Sequence, residues 1–295
     1  MQNIFIAGAS GFVGGHLIDA LLKDGYRLRC LSRSEKAEKI FKEKGIGIVS
    51  GDITVPETLE GALNGIDFVI HLVGIIEEKG PAKFQKIHIE GTRNLIIEAK
   101  KAGIKHFFYQ STLGADKGSW SGYLKTKAEA EEIVMASGIP YTIFRPSFII
   151  GPWDGFTKKL MDLIKMSPAI PVPGNGKSKF QPVYINDWVK CLLKVIASPA
   201  LFKGIFEIGG PQHLTYNEIV STLAEAMKMK KSIVHIPMGI MKLGATIAEK
   251  TIPILPVTYD QLRLLETDNV CDINSVEKTF GFKPIKYKDA LKEFI

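Results

Sequence analysis

Asn3-Ile4-Phe5-Ile6-Ala7-Gly8-Ala9-Ser10-Gly11-Phe12-Val13-Gly14-Gly15 reads as an apolar strand, a tight turn with glycines three residues apart, and the start of a helix. Side chains are missing from the turn where they would block a close approach to the backbone. The following helix aims the positive end of its dipole at the same point, which favours an anion such as a pyrophosphate. Strand, glycine turn and helix in that order predict a dinucleotide-binding βα unit contacted through Gly8, Ser10, Gly11, Phe12, Val13 and Gly14. The spacing is G-x-x-G-x-x-G, not the commoner G-x-G-x-x-G.

Outward from this unit, short apolar runs alternate with helical patterns. Strands are expected at 3–7, Arg27–Leu31, Ile46–Val49, Phe68–Leu72, His106–Tyr109 and Thr142–Arg145. Helices are expected at Gly14–Lys23, Ser34–Lys44, Pro56–Leu63, Ala82–Ala102 and Tyr123–Ser137. This alternation predicts an α/β fold of the Rossmann type, a doubly wound parallel sheet with its ligand at the carboxyl ends of the strands. After Gly151-Pro152 the regularity stops. Strands at 180–185 and Gly204–Ile208, a helix starting at Asn186 or Asp187, and a capping box of Thr215 with Glu218 predict a smaller mixed C-terminal lobe. The expected division is therefore 1–150 for the nucleotide domain and 151–295 for a substrate or cap lobe, partly interleaved with it.

The chain has 295 residues, 45% of them hydrophobic and 23% charged, which is ordinary globular composition and enough for a sizeable core. Its net charge of +7 lies in Lys-rich helix faces such as Lys36, Lys39, Lys42 and Lys44. Such runs read as solvated faces, so no nucleic-acid partner is expected, while attraction to an anionic lipid surface is compatible with them. Cys30, Cys191 and Cys271 are odd in number and far apart, which fits reduced thiols of a cytoplasmic protein and argues against a metal site. No secretory signal precedes the first strand. The apolar stretch Ile233–Thr258 is interrupted by charges and prolines, too broken to span a bilayer, and Ile236–Pro256 within it is a candidate partner surface.

Leu31-Ser32-Arg33-Ser34 stands where an NAD site usually carries an acid for the ribose 2′-hydroxyl. A carboxylate would repel a 2′-phosphate, whereas the Arg33 fork and the Ser32 and Ser34 hydroxyls can hold one. The expected cofactor is NADP(H) in preference to NAD(H). Asp52 and Ile53 after the third strand are expected beside the adenine, and Leu72, Val73 and Gly74 after the fourth run alongside the cofactor. Tyr123 and Lys127 are four apart on a helix and share one face. An ammonium beside a phenol favours the phenolate and fits the phenol for acid–base work. Ser111 or Thr112 supplies a hydroxyl to polarise a carbonyl. His88 is either a proton relay near the cofactor or a histidine satisfied inside the protein.

These residues resemble the short-chain dehydrogenase/reductase superfamily in its extended or atypical branches, over nearly the whole chain. The cofactor loop Gly8-x-x-Gly11-x-x-Gly14, the pair Tyr123-x-x-x-Lys127, and Arg145-Pro146-Ser147 with Gly151-Pro152 carry the resemblance. It implies that Pro146, Ser147, Phe148 and Ile149 line the nicotinamide and that Lys127 also holds its ribose. More narrowly, His88-Ile89-Glu90-Gly91-Thr92-Arg93-Asn94, Ser111-Thr112-Leu113-Gly114-Ala115-Asp116, Phe180-Gln181-Pro182-Val183 and Gly209-Gly210-Pro211-Gln212-His213-Leu214-Thr215-Tyr216 resemble the NAD(P)-binding accessory subunits of respiratory complex I and their free-standing prokaryotic relatives. That resemblance implies tight nucleotide binding, association with a respiratory complex or the inner face of a membrane, and a nucleotide held for structural reasons in some members. Two features depart from the enzymatic pattern: His88 stands where extended members usually have Asn, and Ser111 precedes Tyr123 by twelve residues instead of about two dozen.

Three functions follow from this reading. The first is an NADP(H)-dependent oxidoreductase acting on a carbonyl or quinone-like small molecule. The second is an NADP(H)-binding structural protein. The third is a sugar-nucleotide epimerase or dehydratase, against which the missing acid after the second strand counts. Trp153, Asp154, Gln181 and Tyr184 are candidates for bordering the substrate cleft.

Overall fold

The computed structural model describes residues 2–198, 203–241 and 259–295. The chain divides into two compact units, Met1–Pro146 with Val189–Phe206, and Ser147–Trp188 with Glu207–Ile295.

In the first unit, strands β1 (Asn3–Ala7), β2 (Arg27–Ser32), β3 (Gly47–Ser50), β4 (Phe68–His71), β5 (His106–Gln110) and β6 (Tyr141–Pro146) pair in parallel. With the strand Gly204–Ile208 they form a seven-stranded sheet in the order (204–208)-β6-β5-β4-β1-β2-β3. Chain order reverses at β1 and β4, so the carboxyl ends of these two strands flank the switch point at which such sheets bind ligands. Ile4, Phe5, Ile6, Phe107, Phe108 and Tyr109 are fully buried. Their unbroken runs follow from helices covering both sheet faces. Those helices are α1 (Phe12–Lys23), α2 (Glu35–Glu43), α3 (Gly91–Ala102) and α4 (Gly122–Met135).

Two expected helices take other forms. Pro56–Leu63 is reduced to a 3₁₀ turn, Pro56–Leu59: the proline starts it, and Gly61 at φ +67° ends it. Ala82–Ala102 is not one α-helix. Gln85–Glu90 is a π-helical turn leading into α3, and it buries Ile87, His88 and Ile89 in succession, which one face of a regular helix cannot do.

In the second unit, Ile149–Ile150 pairs in parallel with Val183–Tyr184, and Ile170–Pro173 with Ile233–Ile236, while Lys179–Phe180 runs antiparallel to Leu214–Thr215. Helix α5 spans Gly155–Met166 and α7 Tyr216–Ala226, while α6, Ile185–Ala197, begins in this unit and from Val189 belongs to the first. The predicted capping box starts α7: Thr215 Oγ1 accepts from the Glu218 amide at 3.2 Å, and Glu218 accepts from the Thr215 amide at 2.7 Å. Asp187 does not cap α6, which begins at Ile185. Its carboxylate accepts instead from the amide of Ile285 at 2.9 Å. Positions 242–256 of the candidate surface Ile236–Pro256 lie outside the described residues, and Met241 packs with Leu262 in a small apolar cluster. Among the described residues no helix is long and apolar enough to cross a membrane.

Candidate functional site

The glycine turn is shaped by contacts that leave no room for a side chain. Gly8 holds φ +93°, and a Cβ there would stand 2.9 Å from the carbonyl carbon of Leu72. A Cβ on Gly14 would meet the Gly8 oxygen at 2.4 Å. The turn closes through Gly11 N–H donating to Gly8 O at 3.1 Å, and no side chain caps the N-terminus of α1. Its first amides are therefore available to an anion, and Ser10 and Gly11 are exposed beside them. Phe12 and Val13 are half-buried in the first turn of the helix. Leu72, Val73 and Gly74 follow β4 on the other side of the turn, with Gly74 exposed.

At the end of β2, Ser32 is buried and spends its hydroxyl locally, donating to Ser34 O at 3.1 Å. Arg33 reaches across to Asp52 at 2.9 Å. Burial pushes the Asp52 carboxyl up, but hydrogen bonds from Thr54 and Arg33 outweigh it and hold the group below the usual carboxylate range. Ile53 is buried and packs on α3, where its side chain occupies the space a Cβ on Gly91 would take. A cleft of about 440 Å³ opens beside the glycine turn, lined by Ser10, Gly15, Ser34, Lys36 and Lys44 over an apolar floor of Ile18, Ala37 and Phe41. Lys36 and Lys44, read from sequence as part of a solvated face, thus border the cleft that also takes in Ser10 and Ser34. Lys36 could have been found from its place in the first turn of the helix after β2.

Helix α4 carries Tyr123 and Lys127. Ser121 caps it by accepting from the Leu124 amide. Burial raises the Tyr123 pKa above the ordinary phenol value, and the Thr112 hydroxyl pulls the other way. Thr112 Oγ1 donates to Leu113 O at 3.4 Å. Ser111 Oγ is buried and has no hydrogen-bond partner among the described residues. Lys127 is buried, and its ammonium donates to Gln110 O and lies 4.2 Å from the centre of the Tyr109 ring. Burial pulls its pKa down to about 7, opposed by the Glu131 carboxylate. The Lys127 ammonium is engaged by Gln110 and Tyr109, and at the Tyr123 phenol burial is the largest influence.

His88 is fully buried and stacks on Phe84, and its ring meets that of Tyr123 in a T-shaped arrangement, centroids 5.9 Å apart. Its Nε2 accepts from the Ile75 amide at 3.1 Å. Nδ1 therefore carries the proton and donates to Thr126 Oγ1 at 2.9 Å, and Thr126 donates onward to Gly122 O at 2.7 Å. Desolvation and the nearby Lys127 pull its pKa to about 3, so the imidazole is neutral and fixed in one tautomer. Both ring nitrogens are committed to protein partners, as in the internally satisfied reading of this residue.

Of the segment expected at the nicotinamide, Pro146 ends β6 in the first unit, and Ser147, Phe148 and Ile149 belong to the second. There Ser147 Oγ accepts from the Gln181 amide at 3.2 Å and donates to Asn269 at 2.8 Å, while Phe148 stacks on Phe180. Gln181 is fully buried; it donates to Gly210 O and accepts from the Cys271 amide, which makes it a structural tie. Trp153 and Asp154 border a cleft of about 380 Å³ with Met161, Glu293 and Phe294. Among the described residues no group of His, Cys, Asp and Glu is arranged to hold a metal.

A model of the NmrA-like family matches residues 1–287. The chain belongs to the NmrA-like family. This NmrA-like chain is 30% identical over 247 residues to the ceramide reductase of Caulobacter vibrioides (strain NA1000 / CB15N), a match covering 83% of this chain and 77% of that protein. It is 27% identical over 306 residues to the mitochondrial NADH dehydrogenase (ubiquinone) 1 alpha subcomplex subunit 9 of Arabidopsis thaliana, covering 98% of this chain and 76% of that one. The resemblance to complex I subunits read from the motifs is thereby borne out. Among solved structures, the dTDP-glucose 4,6-dehydratase of Streptomyces venezuelae with NAD bound superposes with a TM-score of 0.76 at 20% identity, over 99% of this chain and 95% of that chain. That likeness establishes the Rossmann-type fold of this NmrA-like protein.

Proposed function

We propose that this chain binds NADP(H) and is an oxidoreductase acting on a carbonyl or quinone-like small molecule. The observation that carries the reading is Tyr123 one helical turn from buried Lys127 on α4, in the same unit as the glycine turn and the buried, unpartnered Ser111 hydroxyl. The turn is a backbone cradle that a Cβ would fill, and the uncapped amides of α1 and the unpartnered Ser111 hydroxyl are donors suited to a phosphate and a ribose. When bound, the nicotinamide supplies or accepts the hydride. Tyr123 stays a neutral phenol at physiological pH, so it gives its proton to the carbonyl oxygen as charge develops there, and Thr112 donates a second hydrogen bond. Lys127, with its pKa of about 7, sits where a small change in surroundings moves its proton, and it stands ready to support the phenolate left behind. NADP(H) is favoured because no acid ends β2, while Ser34 and Lys36 border the cleft beside Ser10 and Arg33 offsets Asp52. One relative is named a reductase, which agrees with this chemistry.

A second reading is an NADP(H)-binding protein held together by its nucleotide within a respiratory assembly. The locked, neutral His88 favours it, because no relay from the phenol passes through that ring. Titration with NADPH and NADH tests the cofactor: Arg33→Glu with Lys36→Glu weakens NADPH at least about tenfold and leaves NADH nearly unchanged. Tyr123→Phe is expected to keep NADPH binding and lose at least about 100-fold in turnover on a panel of carbonyls and quinones. A wild-type protein that NADPH stabilises against heat but that turns over none of the panel decides for the structural reading.

A further inference from the structure

Trp153 and Met166 stand at the two ends of α5 and are 88% and 85% exposed, while no other large hydrophobic side chain of the described residues exceeds 63%. Trp153 also holds φ +66°, the left-handed region that disfavours any residue with a Cβ. The turn that imposes this conformation is tied down by Asp154. Its carboxylate accepts from the Gly151 and Thr157 amides, and its own amide donates to Gly151 O. A strained backbone held by surrounding bonds so that it presents an indole to solvent is a feature that calls for a function.

The rest of the helix supplies the chemistry. Thr157, Leu160 and Ile164 are buried on its inner side. Lys158, Lys159, Asp162, Lys165 and Met166 are exposed, and at about 100° per residue they fall within an arc of about 120°. Three cations and one acid therefore lie between two apolar tips, along a helix about 18 Å long. A protein interface has the opposite layout, with apolar anchors at the centre and charge at the rim. Apolar side chains at the ends of a flat cationic strip fit a bilayer surface, where lysines pair with anionic headgroups and an indole sits at headgroup depth. The net charge of +7 adds long-range attraction to the same partner.

We propose that the exposed face of α5, with Trp153 and Met166 at its ends, docks on an anionic membrane surface. This stands whether or not the chain is an enzyme. The test is flotation of the full-length protein with vesicles of phosphatidylcholine and phosphatidylserine, about 2:1, against phosphatidylcholine alone. Wild type is expected to float with the anionic vesicles only. Trp153→Gly, which relaxes the backbone, and the pair Lys158→Glu with Lys159→Glu should each cut the bound fraction at least about tenfold. Trp153→Gly should do so with no fall in thermal midpoint. Lys100→Glu with Lys101→Glu changes the net charge equally and should float like wild type. Brominated acyl chains should quench tryptophan fluorescence of the wild type and not that of Trp153→Gly. The proposal is overturned if wild type does not float, if Trp153→Gly floats as well as wild type, or if the Lys100 and Lys101 variant is impaired as much as the Lys158 and Lys159 variant. It is equally overturned if wild type self-associates through this face, ignores vesicles, and Trp153→Gly returns it to monomer.

Discussion

Arg145 closes a two-pronged ion pair on Glu131, Nε to Oε1 at 2.9 Å and Nη2 to Oε2 at 2.5 Å. Glu131 is almost wholly buried and stands one helical turn beyond Lys127 and two beyond Tyr123 on α4. The pair fastens the Tyr123 and Lys127 face of the helix to β6 and places a carboxylate where it supports the Lys127 ammonium. Removing the cation leaves a buried charge without its partner. Arg145→Ala is expected to cost about 3 kcal/mol or more in urea denaturation, and Glu131→Gln with Arg145→Met, which removes both charges, should cost clearly less.

The glycine turn separates two neighbouring positions. A Cβ on Gly14 would collide with backbone at 2.4 Å, whereas a Cβ on Gly15 meets nothing within 4 Å. Gly14→Ala should lower the melting temperature and abolish NADPH binding by forcing the turn open. Gly15→Ala, inside a helix, should raise stability by about 0.5–1 kcal/mol.

Lys127 has an ordinary pKa of 10.5 and a folded value of about 7. Below pH 7 it is protonated in both states and its burial penalty is complete. Between pH 7 and 10.5 the unfolded chain binds more protons, so this residue makes stability rise with pH. Lys127→Met should therefore be more stable than wild type at pH 7, with the gap narrowing toward pH 10. The gain in melting temperature should accompany loss of turnover.

His71, His88 and His106 are buried, and desolvation takes each pKa from 6.5 to about 3. Lys127 adds to the effect at the first two. With the folded pKa depressed, the stabilising contribution is complete above pH 6.5 and is lost as pH falls toward 3, because only the unfolded chain takes up the protons. Each histidine should contribute about 1.4 kcal/mol per pH unit within that window. Urea midpoints measured from pH 7.5 to pH 4.5 should fall steeply, and His106→Leu should remove about a third of that slope.

Much of the first unit is legible from local pattern. The strand at Asn3–Ala7, the glycine spacing and the four-residue step from Tyr123 to Lys127 each express rules that act within one or two turns of chain, and the structure places all of them as the pattern implies. The helix expected over Ala82–Ala102 shows where that reasoning stops. Its π-helical turn follows from the packing of Ile87 and Ile89 into the core and of His88 between Ile75 and Thr126, none of which is visible in a local period.

By itself, then, the sequence determined the doubly wound sheet, the glycine cradle and the helix face that carries Tyr123 and Lys127, because side-chain periodicity and glycine's freedom act locally. Only the tertiary structure decided that the Ser111 hydroxyl is buried without a partner among the described residues, that the Lys127 ammonium turns to Gln110 and Tyr109, that Glu131 is locked by Arg145, and that Gly204–Ile208 joins the edge of the sheet beside β6. Each depends on groups brought together from distant parts of the chain and on the desolvation that burial imposes, and neither is written in the spacing of the residues concerned.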